Sequence, residues 1–164
     1  LVFLHVPKTG GESVEAALKI KKNHEVARDR KAGMGEFNWG CAFKFSTARN
    51  PWARWESWHS FCVSGYHGQE QLVPTPRWGC LMARSMTLSS WTKYMILLLR
   101  EFFLAYYFKD QSEYVTDGVH LDQLLPNFII RFEDLESDFK CMANLLGLSV
   151  NLPHLNPSEL AKGE

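Results

Sequence analysis

The first eighteen residues, LVFLHVPKTGGESVEAAL, constrain the fold more than any other part of the chain. They open with a short apolar run, Leu1 to Val6, that is rich in strand-forming residues. A loop with a proline, a lysine, a threonine and two glycines follows. Beyond it, apolar residues recur at helical spacing between Val14 and Ile20. The pattern predicts a buried strand that leads through a tight loop directly into a helix.

The loop itself carries groups that bind anions. Lys8 supplies a positive charge, and the hydroxyls of Thr9 and Ser13 supply hydrogen-bond donors. Gly10 and Gly11 permit positive φ and a close approach of a ligand to the backbone. The first turn of the following helix adds unpaired N–H groups and the positive end of its dipole. The loop is therefore predicted to hold a phosphate- or sulfate-sized group, with a tight turn and a solvated lysine as the alternative.

Two familiar nucleotide-binding patterns do not fit this loop. In the Walker A pattern the lysine follows the glycines, whereas here it precedes them. The Gly-x-Gly-x-x-Gly fingerprint of dinucleotide enzymes is not present in the loop either. A dinucleotide dehydrogenase is therefore disfavoured, and a P-loop-like nucleotide kinase remains only as an alternative function.

A second strand and helix are predicted in FKFSTARNPWARWESWHSF, residues 43–61. Arg49 stands at the end of the strand, Asn50 is a good N-cap, and Pro51 suits the first helical position. Because a guanidinium can grip a phosphate with two hydrogen bonds, Arg49 and the helical Ser57 form a candidate second anion site. The alternative is that Arg49 only caps or forms a salt bridge. An apolar stripe at spacing three is expected to face the core, and it consists of Trp52, Trp55, Trp58 and Phe61.

A third strand and helix are predicted from Phe128, with Asp134 as N-cap and Gly147 as the stop. Alternating strands and helices predict a three-layer α/β/α fold with a central, mainly parallel sheet. In such sheets ligands bind outside the carboxyl ends of the strands. We therefore expect the Lys8 loop and Arg49 to lie at one edge of the sheet and to hold a ligand with two separated phosphate-like groups.

Length and composition limit the possible classes of protein. The chain has 164 residues, 46% of them hydrophobic, and zero net charge, so we expect a single domain over 1–164 and no nucleic-acid partner. The basic stretch from Lys19 to Lys31 is either a solvated face or a patch for an acidic substrate. The apolar stretch from Trp91 to Phe108 is interrupted by charges and is expected to be a buried helix. We also expect a further segment to precede Leu1, since the chain begins inside a strand.

Together these motifs resemble the sulfotransferase superfamily, in particular its carbohydrate (Golgi-type, heparan- and chondroitin-like) branch. HVPKTGGES resembles the family's 5′-phosphosulfate loop, and FSTARNPWARWESW resembles its 3′-phosphate motif, R-N-P-x-x-R-x-x-S. IIRFEDLESDF and the later LPHLNPS resemble its C-terminal signatures. The motifs occur in family order over nearly the whole chain.

The resemblance implies a P-loop-NTPase-like sulfotransferase fold and a metal-free transfer from 3′-phosphoadenosine 5′-phosphosulfate (PAPS) to a hydroxyl of a carbohydrate acceptor. By position, the 5′-phosphosulfate would be held by Lys8, Thr9, Gly10, Gly11 and Ser13, and the 3′-phosphate by Arg49 and Ser57. A full-length eukaryotic member would be a type II membrane protein of the Golgi lumen. An inactive nucleotide-binding module of the same fold is a further alternative, because Glu12 stands where the family usually has Thr or Ser.

The transfer needs charge stabilisation and a base. Lys8 is the candidate for neutralising the leaving phosphate oxygen. His24 is the candidate base, because related enzymes carry a catalytic histidine in this interval, and His67 and His120 are reserves. Three other polar residues are expected to be structural or to face elsewhere: His5, His59 and Glu133, the last as a partner of Arg131.

Overall fold

The computed structural model describes residues 1–64, 82–99, 109–118, 120 and 123–155. They belong to two compact units, which are described separately. The first comprises Leu1–Asn50 and Lys109–Glu164, and the second comprises Pro51–Phe108.

The first unit contains a small parallel sheet of three strands. Its strands are β1 (Val2–Leu4), β2 (Lys44–Ala48) and β3 (Phe128–Arg131), in the order β1-β2-β3. Phe3 of β1 pairs with Phe45 of β2, which pairs in turn with Phe128 of β3. The predicted α/β class with a parallel sheet is therefore confirmed, although β1 is shorter than the apolar run suggested.

Among the described residues of the first unit, five helices accompany the sheet, and a short 3-10 turn, Phe132–Asp134, follows β3. The helices are α1 (Gly11–Leu18), α2 (Ala27–Met34), α3 (Glu36–Cys41), α6 (Gln111–Val115) and α7 (Leu135–Leu145). Asp134 is the N-cap of α7, as predicted, and the left-handed Gly147 lies just beyond its end.

Helices pack against both faces of the sheet. Successive strand side chains point to opposite faces, and apolar side chains are buried on each of them. Phe3, Phe45 and Ile130 are buried on one face against residues of α1 and α7, namely Val14, Phe139 and Met142. On the other face, Val2 and Leu4 are buried against Ala27 of α2 and Trp39 of α3. Burial of each large apolar side chain stabilises the fold by about 1.5–3 kcal/mol.

In the second unit, α4 (Pro51–Val63) begins at the predicted proline, and α5 spans Leu88–Leu99. Residues 82–85 are also helical. The core of this unit consists of Trp58, Cys62, Ala83, Trp91 and Met95.

The predicted apolar stripe on α4 is wrong at its first member. Trp58 is buried, but Trp52 is 77% exposed. The physical reason is that residues three apart drift around a helix of 3.6 residues per turn. Over the nine residues from Trp52 to Phe61 this drift amounts to about half a turn, so the two ends of the stripe cannot face the same core.

The apolar stretch from Trp91 to Phe108 is described only as far as Leu99. Trp91 and Met95 are buried, whereas Ile96 and Leu97 are exposed. The rest of the stretch, 100–108, lies outside the described residues. In the part of the chain that is described, no helix combines the length and apolar character needed to cross a membrane.

Candidate functional site

The site lies at the carboxyl edge of the sheet, where three chain segments meet. The loop after β1 carries Lys8, the residue after β2 is Arg49, and the residue after β3 is Phe132. The Arg49 Nη1 donates a hydrogen bond to the Lys8 carbonyl oxygen at 3.3 Å. The structure therefore brings the two predicted anion-binding segments together.

The loop has an unusual backbone at two positions. Gly10 has φ of 80° and serves as the N-cap of α1, and Lys8 has φ of 67°. A left-handed conformation costs a residue with a side chain about 1–2 kcal/mol, so the surrounding structure must hold Lys8 in place. The Arg49 hydrogen bond to its carbonyl is one such restraint.

Packing as well as ligand approach requires the two glycines. A Cβ on Gly10 would lie 3.0 Å from the side chains of Phe132 and Leu135. A Cβ on Gly11 would lie 2.2 Å from Nε2 of His5, which is well inside van der Waals contact. From the sequence pattern, only positive φ and the close approach of a ligand were predicted as reasons for the two glycines.

Arg49 is held by contacts on its backbone and its side chain. The Gln111 side chain accepts a hydrogen bond from Arg49 N at 3.0 Å and donates one to Arg49 O at 2.7 Å. The guanidinium carbon lies 3.9 Å from the centre of the Phe132 ring, which is a close cation–π contact. The next residue, Asn50, donates its backbone N–H to Glu133 Oε1 at 2.7 Å. The guanidinium is thus oriented before any ligand arrives.

The two predicted hydroxyl donors of the loop are both buried and both hydrogen-bonded within the protein. Thr9 Oγ1 donates to the Val6 carbonyl at 2.6 Å and also hydrogen-bonds with Thr47 Oγ1. The side chain of Thr9 is therefore occupied, which leaves its backbone N–H as the group that can face a ligand. Ser13 Oγ accepts a hydrogen bond from Leu155 N at 3.2 Å and keeps its own proton to donate.

His24 contacts the ring of His5, whose Nε2 lies against Gly11 of the loop. The two ring centroids are 4.1 Å apart. Burial, together with the neighbouring His5 and Lys22, lowers the pKa of His24 to about 4. A backbone hydrogen bond at His5 and the Glu15 carboxylate oppose this shift. His24 is therefore neutral at pH 7 and has a lone pair with which it can accept a proton.

Glu12, the position that departs from the family pattern, has its own cationic partner. Its carboxylate accepts a hydrogen bond from Lys22 Nζ at 2.5 Å on the protein surface. Partial burial raises the pKa of Glu12, but the Lys22 pair and the charges of Lys8 and His5 outweigh it and leave the pKa lowered.

An open depression of about 330 Å³ lies between the starts of α2 and α6. Its lining includes Val26, Arg28, Asp110 and Ser112. Val26 is two residues beyond His24, and Asp110 and Ser112 flank the residue that holds Arg49. Polar groups of both charges line this depression.

The remaining predicted site residues are Ser57 and the other histidines. Ser57 lies on α4 in the second unit, so its predicted partnership with Arg49 stays a prediction. His59, also on α4, makes an edge contact with Trp91. His120 is exposed, and His67 lies outside the described residues.

In the described part of the chain, Glu133 partners Arg131 only as a nearby negative charge that raises the pKa of the guanidinium, without a hydrogen bond or salt bridge. Arg131 binds both carboxylate oxygens of Asp138 at 2.8 Å and also contacts Asp134 at 3.1 Å. The Arg131 hydrogen bonds lower the pKa of Asp138 to about 2. Glu133 instead reaches the residue after Arg49, because the 3-10 turn directs it toward the end of β2.

The basic stretch from Lys19 to Lys31 is largely neutralised by nearby carboxylates. Four of its six basic side chains form ion pairs, which are Lys22–Glu12, Arg28–Asp29, Arg30–Glu25 and Lys31–Glu36. The stretch gives the acidic-substrate hypothesis no independent support.

Comparisons of the chain with protein-family models, with curated proteins and with solved structures found no match. The resemblance to sulfotransferases therefore depends on the short sequence motifs alone. Sequence reasoning did not identify two contributors to the geometry at the edge of the sheet, the Gln111 clamp and the Glu15 partner of His5. Gln111 is 62 residues from Arg49 and carried no motif, whereas Glu15 falls one helical turn after Gly11 and could have been noticed.

Proposed function

We propose that this protein is a PAPS-dependent sulfotransferase that transfers a sulfonate group to a hydroxyl of a carbohydrate acceptor. The observation that carries the proposal is the contact between the Arg49 guanidinium and the Lys8 carbonyl at the carboxyl edge of the sheet. Two cationic residues on neighbouring strand ends suit one ligand with two phosphate-like groups. The proposal includes the P-loop-NTPase-like sulfotransferase fold, of which the three parallel strands would be the central part.

On the donor side, the loop and the start of α1 would hold the 5′-phosphosulfate. The contributing groups are Lys8, the backbone N–H groups of Thr9, Gly10 and Gly11, and the hydroxyl of Ser13. Arg49 would hold the 3′-phosphate. Each hydrogen bond to a charged group contributes about 1.5–3 kcal/mol, so the loss of either cation should weaken donor binding strongly.

The reaction would be an in-line displacement. The acceptor oxygen forms a bond to sulfur while its proton passes to a ring nitrogen of His24. The bond between sulfur and the 5′-phosphate oxygen breaks, and its electron pair remains on the phosphate. Lys8 stabilises the charge that develops on that oxygen, as cations do in phosphoryl transfer.

The lowered pKa of His24 fits this role once the donor is present. A pKa of about 4 keeps the imidazole neutral but makes it a weak base. An anionic donor bound beside α1 would favour the imidazolium form and raise the pKa toward neutrality. We expect adenosine 3′,5′-bisphosphate to raise the His24 titration midpoint measured by NMR.

The acceptor would approach from the depression between α2 and α6, because its polar lining suits a hydroxyl-rich ligand. The resemblance alone implies a carbohydrate acceptor, a membrane anchor before Leu1 and a location in the Golgi lumen. The proposal includes all three on that basis.

Transfer of labelled sulfate from PAPS to a panel of glycans tests the proposal. We expect transfer by the unaltered protein, loss of at least about a hundredfold in Lys8→Ala and in His24→Ala, and no change in Lys140→Ala. Lys140 is a suitable control because it is an exposed lysine on α7.

Two results would contradict the proposal, each in favour of a named alternative. Phosphoryl transfer from ATP with Mg²⁺, without transfer from PAPS, would indicate the nucleotide kinase. Binding of adenosine 3′,5′-bisphosphate with no transfer to any glycan would indicate an inactive module.

A further inference from the structure

A buried pair of ionisable side chains lies directly behind the loop. His5 Nδ1 and Glu15 Oε1 are 2.7 Å apart, and their side chains are only 3% and 9% exposed. A buried carboxylate is costly unless a hydrogen-bond donor satisfies it, so the pair is a specific arrangement and not an incidental contact. Since an ionised carboxylate only accepts hydrogen bonds, His5 carries a proton on Nδ1 and donates it to Glu15.

The His5 ring is enclosed on several sides. It stacks on Phe3 with 5.2 Å between centroids and an interplanar angle of 19°, and its Nε2 lies against Gly11. The His24 ring covers it at 4.1 Å, tilted by 46°. The orientation of the His5 ring therefore determines the surface that the His24 ring contacts.

From this arrangement we propose that His5 and Glu15 are positioning residues for His24. Glu15 fixes the His5 ring through Nδ1, and the fixed ring holds His24 next to the first turn of α1. This inference rests on the proposed function, in which His24 is the base, and it assigns a role to two residues that do not touch the reacting groups. In other sites too, the hydrogen bond made by one imidazole nitrogen determines what the other can do.

The charged groups that face His24 are His5, Glu15 and Lys22. His5 and Lys22 disfavour the imidazolium form of His24, and Glu15 favours it. Replacing His5 by glutamine removes the ring that packs on His24, so His24 becomes less buried and loses a neighbour that disfavours its imidazolium form. The pKa of His24 should then rise, which its titration midpoint measures.

The test uses Glu15→Gln and His5→Gln, with Glu136→Gln as a control at an exposed carboxylate on α7. In both test variants we expect transfer from PAPS to fall by about tenfold or more, since a base contributes about 10²–10⁴-fold in total. The dissociation constant for adenosine 3′,5′-bisphosphate should stay within about twofold. The control should match the unaltered protein in both measurements.

Two NMR measurements separate this inference from the proposed function, because they need no activity. In the unaltered protein, the ¹⁵N shifts of His5 should show a proton on Nδ1 at neutral pH. In His5→Gln, the His24 titration midpoint should rise by at least about half a pH unit. Protonation of His5 on Nε2 alone, or an unchanged His24 midpoint, would overturn the inference even if sulfate transfer is confirmed.

Discussion

At residue 11, the absence of a side chain on Gly11 leaves room for the ring of His5. Its Cα faces His5 Nε2 so closely that an added methyl group would lie 2.2 Å from it. His5 cannot retreat freely, because Phe3 stacks on its ring and Glu15 holds its Nδ1. A substitution at Gly11 therefore acts through the buried pair as well as through the loop.

We expect Gly11→Ala to lower the free energy of unfolding by about 1–3 kcal/mol, the usual cost of overpacking. Gly33→Ala is the matched control, because Gly33 lies within α2 and its added Cβ would meet nothing within 4 Å beyond its chain neighbours and the backbone of its own helix. The control should gain up to about 1 kcal/mol from the better helix propensity of alanine. Urea denaturation measures both, and equal stability of Gly11→Ala and the unaltered protein would refute this account of the packing.

His24 should make stability depend on pH in a defined window. Burial and the neighbouring His5 and Lys22 lower its pKa from 6.5 to about 4 in the folded state. His24 therefore binds a proton more readily in the unfolded chain than in the folded one. Its contribution to stability is fully present above about pH 6.5 and is lost as the pH falls toward 4. Lowering the pKa from 6.5 to about 4 corresponds to a loss of roughly 3 kcal/mol in the free energy of unfolding at a pH below both pKa values.

His24→Gln should lack this contribution. Urea denaturation of both proteins between pH 4 and 7 measures it, and other titrating groups cancel in the difference between the two curves. We expect the variant to lose less stability than the unaltered protein as the pH falls. Parallel curves would mean that His24 is not buried in the way described.

At the scale of elements, the edge of the sheet is organised by segments that follow the strands. Helix α6 supplies Gln111 to the end of β2, and the 3-10 turn after β3 supplies Phe132 to the Arg49 guanidinium. The same turn leads into α7, which is tied back to β3 by the Arg131–Asp138 pair. The position of Arg49 thus depends on two elements that are distant from it in sequence.

Gln111→Ala should weaken binding of adenosine 3′,5′-bisphosphate by about 5- to 150-fold. The reason is that the two hydrogen bonds that hold the Arg49 backbone are lost, and each contributes about 0.5–1.5 kcal/mol. Isothermal titration calorimetry measures the change, with Gln123→Ala as the control at an exposed glutamine outside the helices. If Gln111→Ala binds as tightly as this control, the clamp does not position Arg49.

At the scale of the whole molecule, the sequence predicted the local order of strands, loops and helices but few of the contacts between them. The apolar run of β1, the Asn-Pro helix start and the parallel sheet all follow from short-range patterns, and the structure confirms them. The exposure of Trp52, the Glu133 contact and the Gln111 clamp depend on which surfaces meet in three dimensions. Periodicity cannot encode these partners, because the same pattern is compatible with many neighbours.

The most direct test of the central claim compares adenosine 3′,5′-bisphosphate with adenosine 5′-monophosphate, which lacks the 3′-phosphate. If one nucleotide bridges both cations, Arg49→Ala should weaken binding of the bisphosphate by about tenfold or more and leave the monophosphate unchanged. Lys8→Ala should weaken binding of both nucleotides, and Lys140→Ala neither. Equal losses for the two nucleotides in Arg49→Ala, or no binding of the bisphosphate by the unaltered protein, would contradict the account.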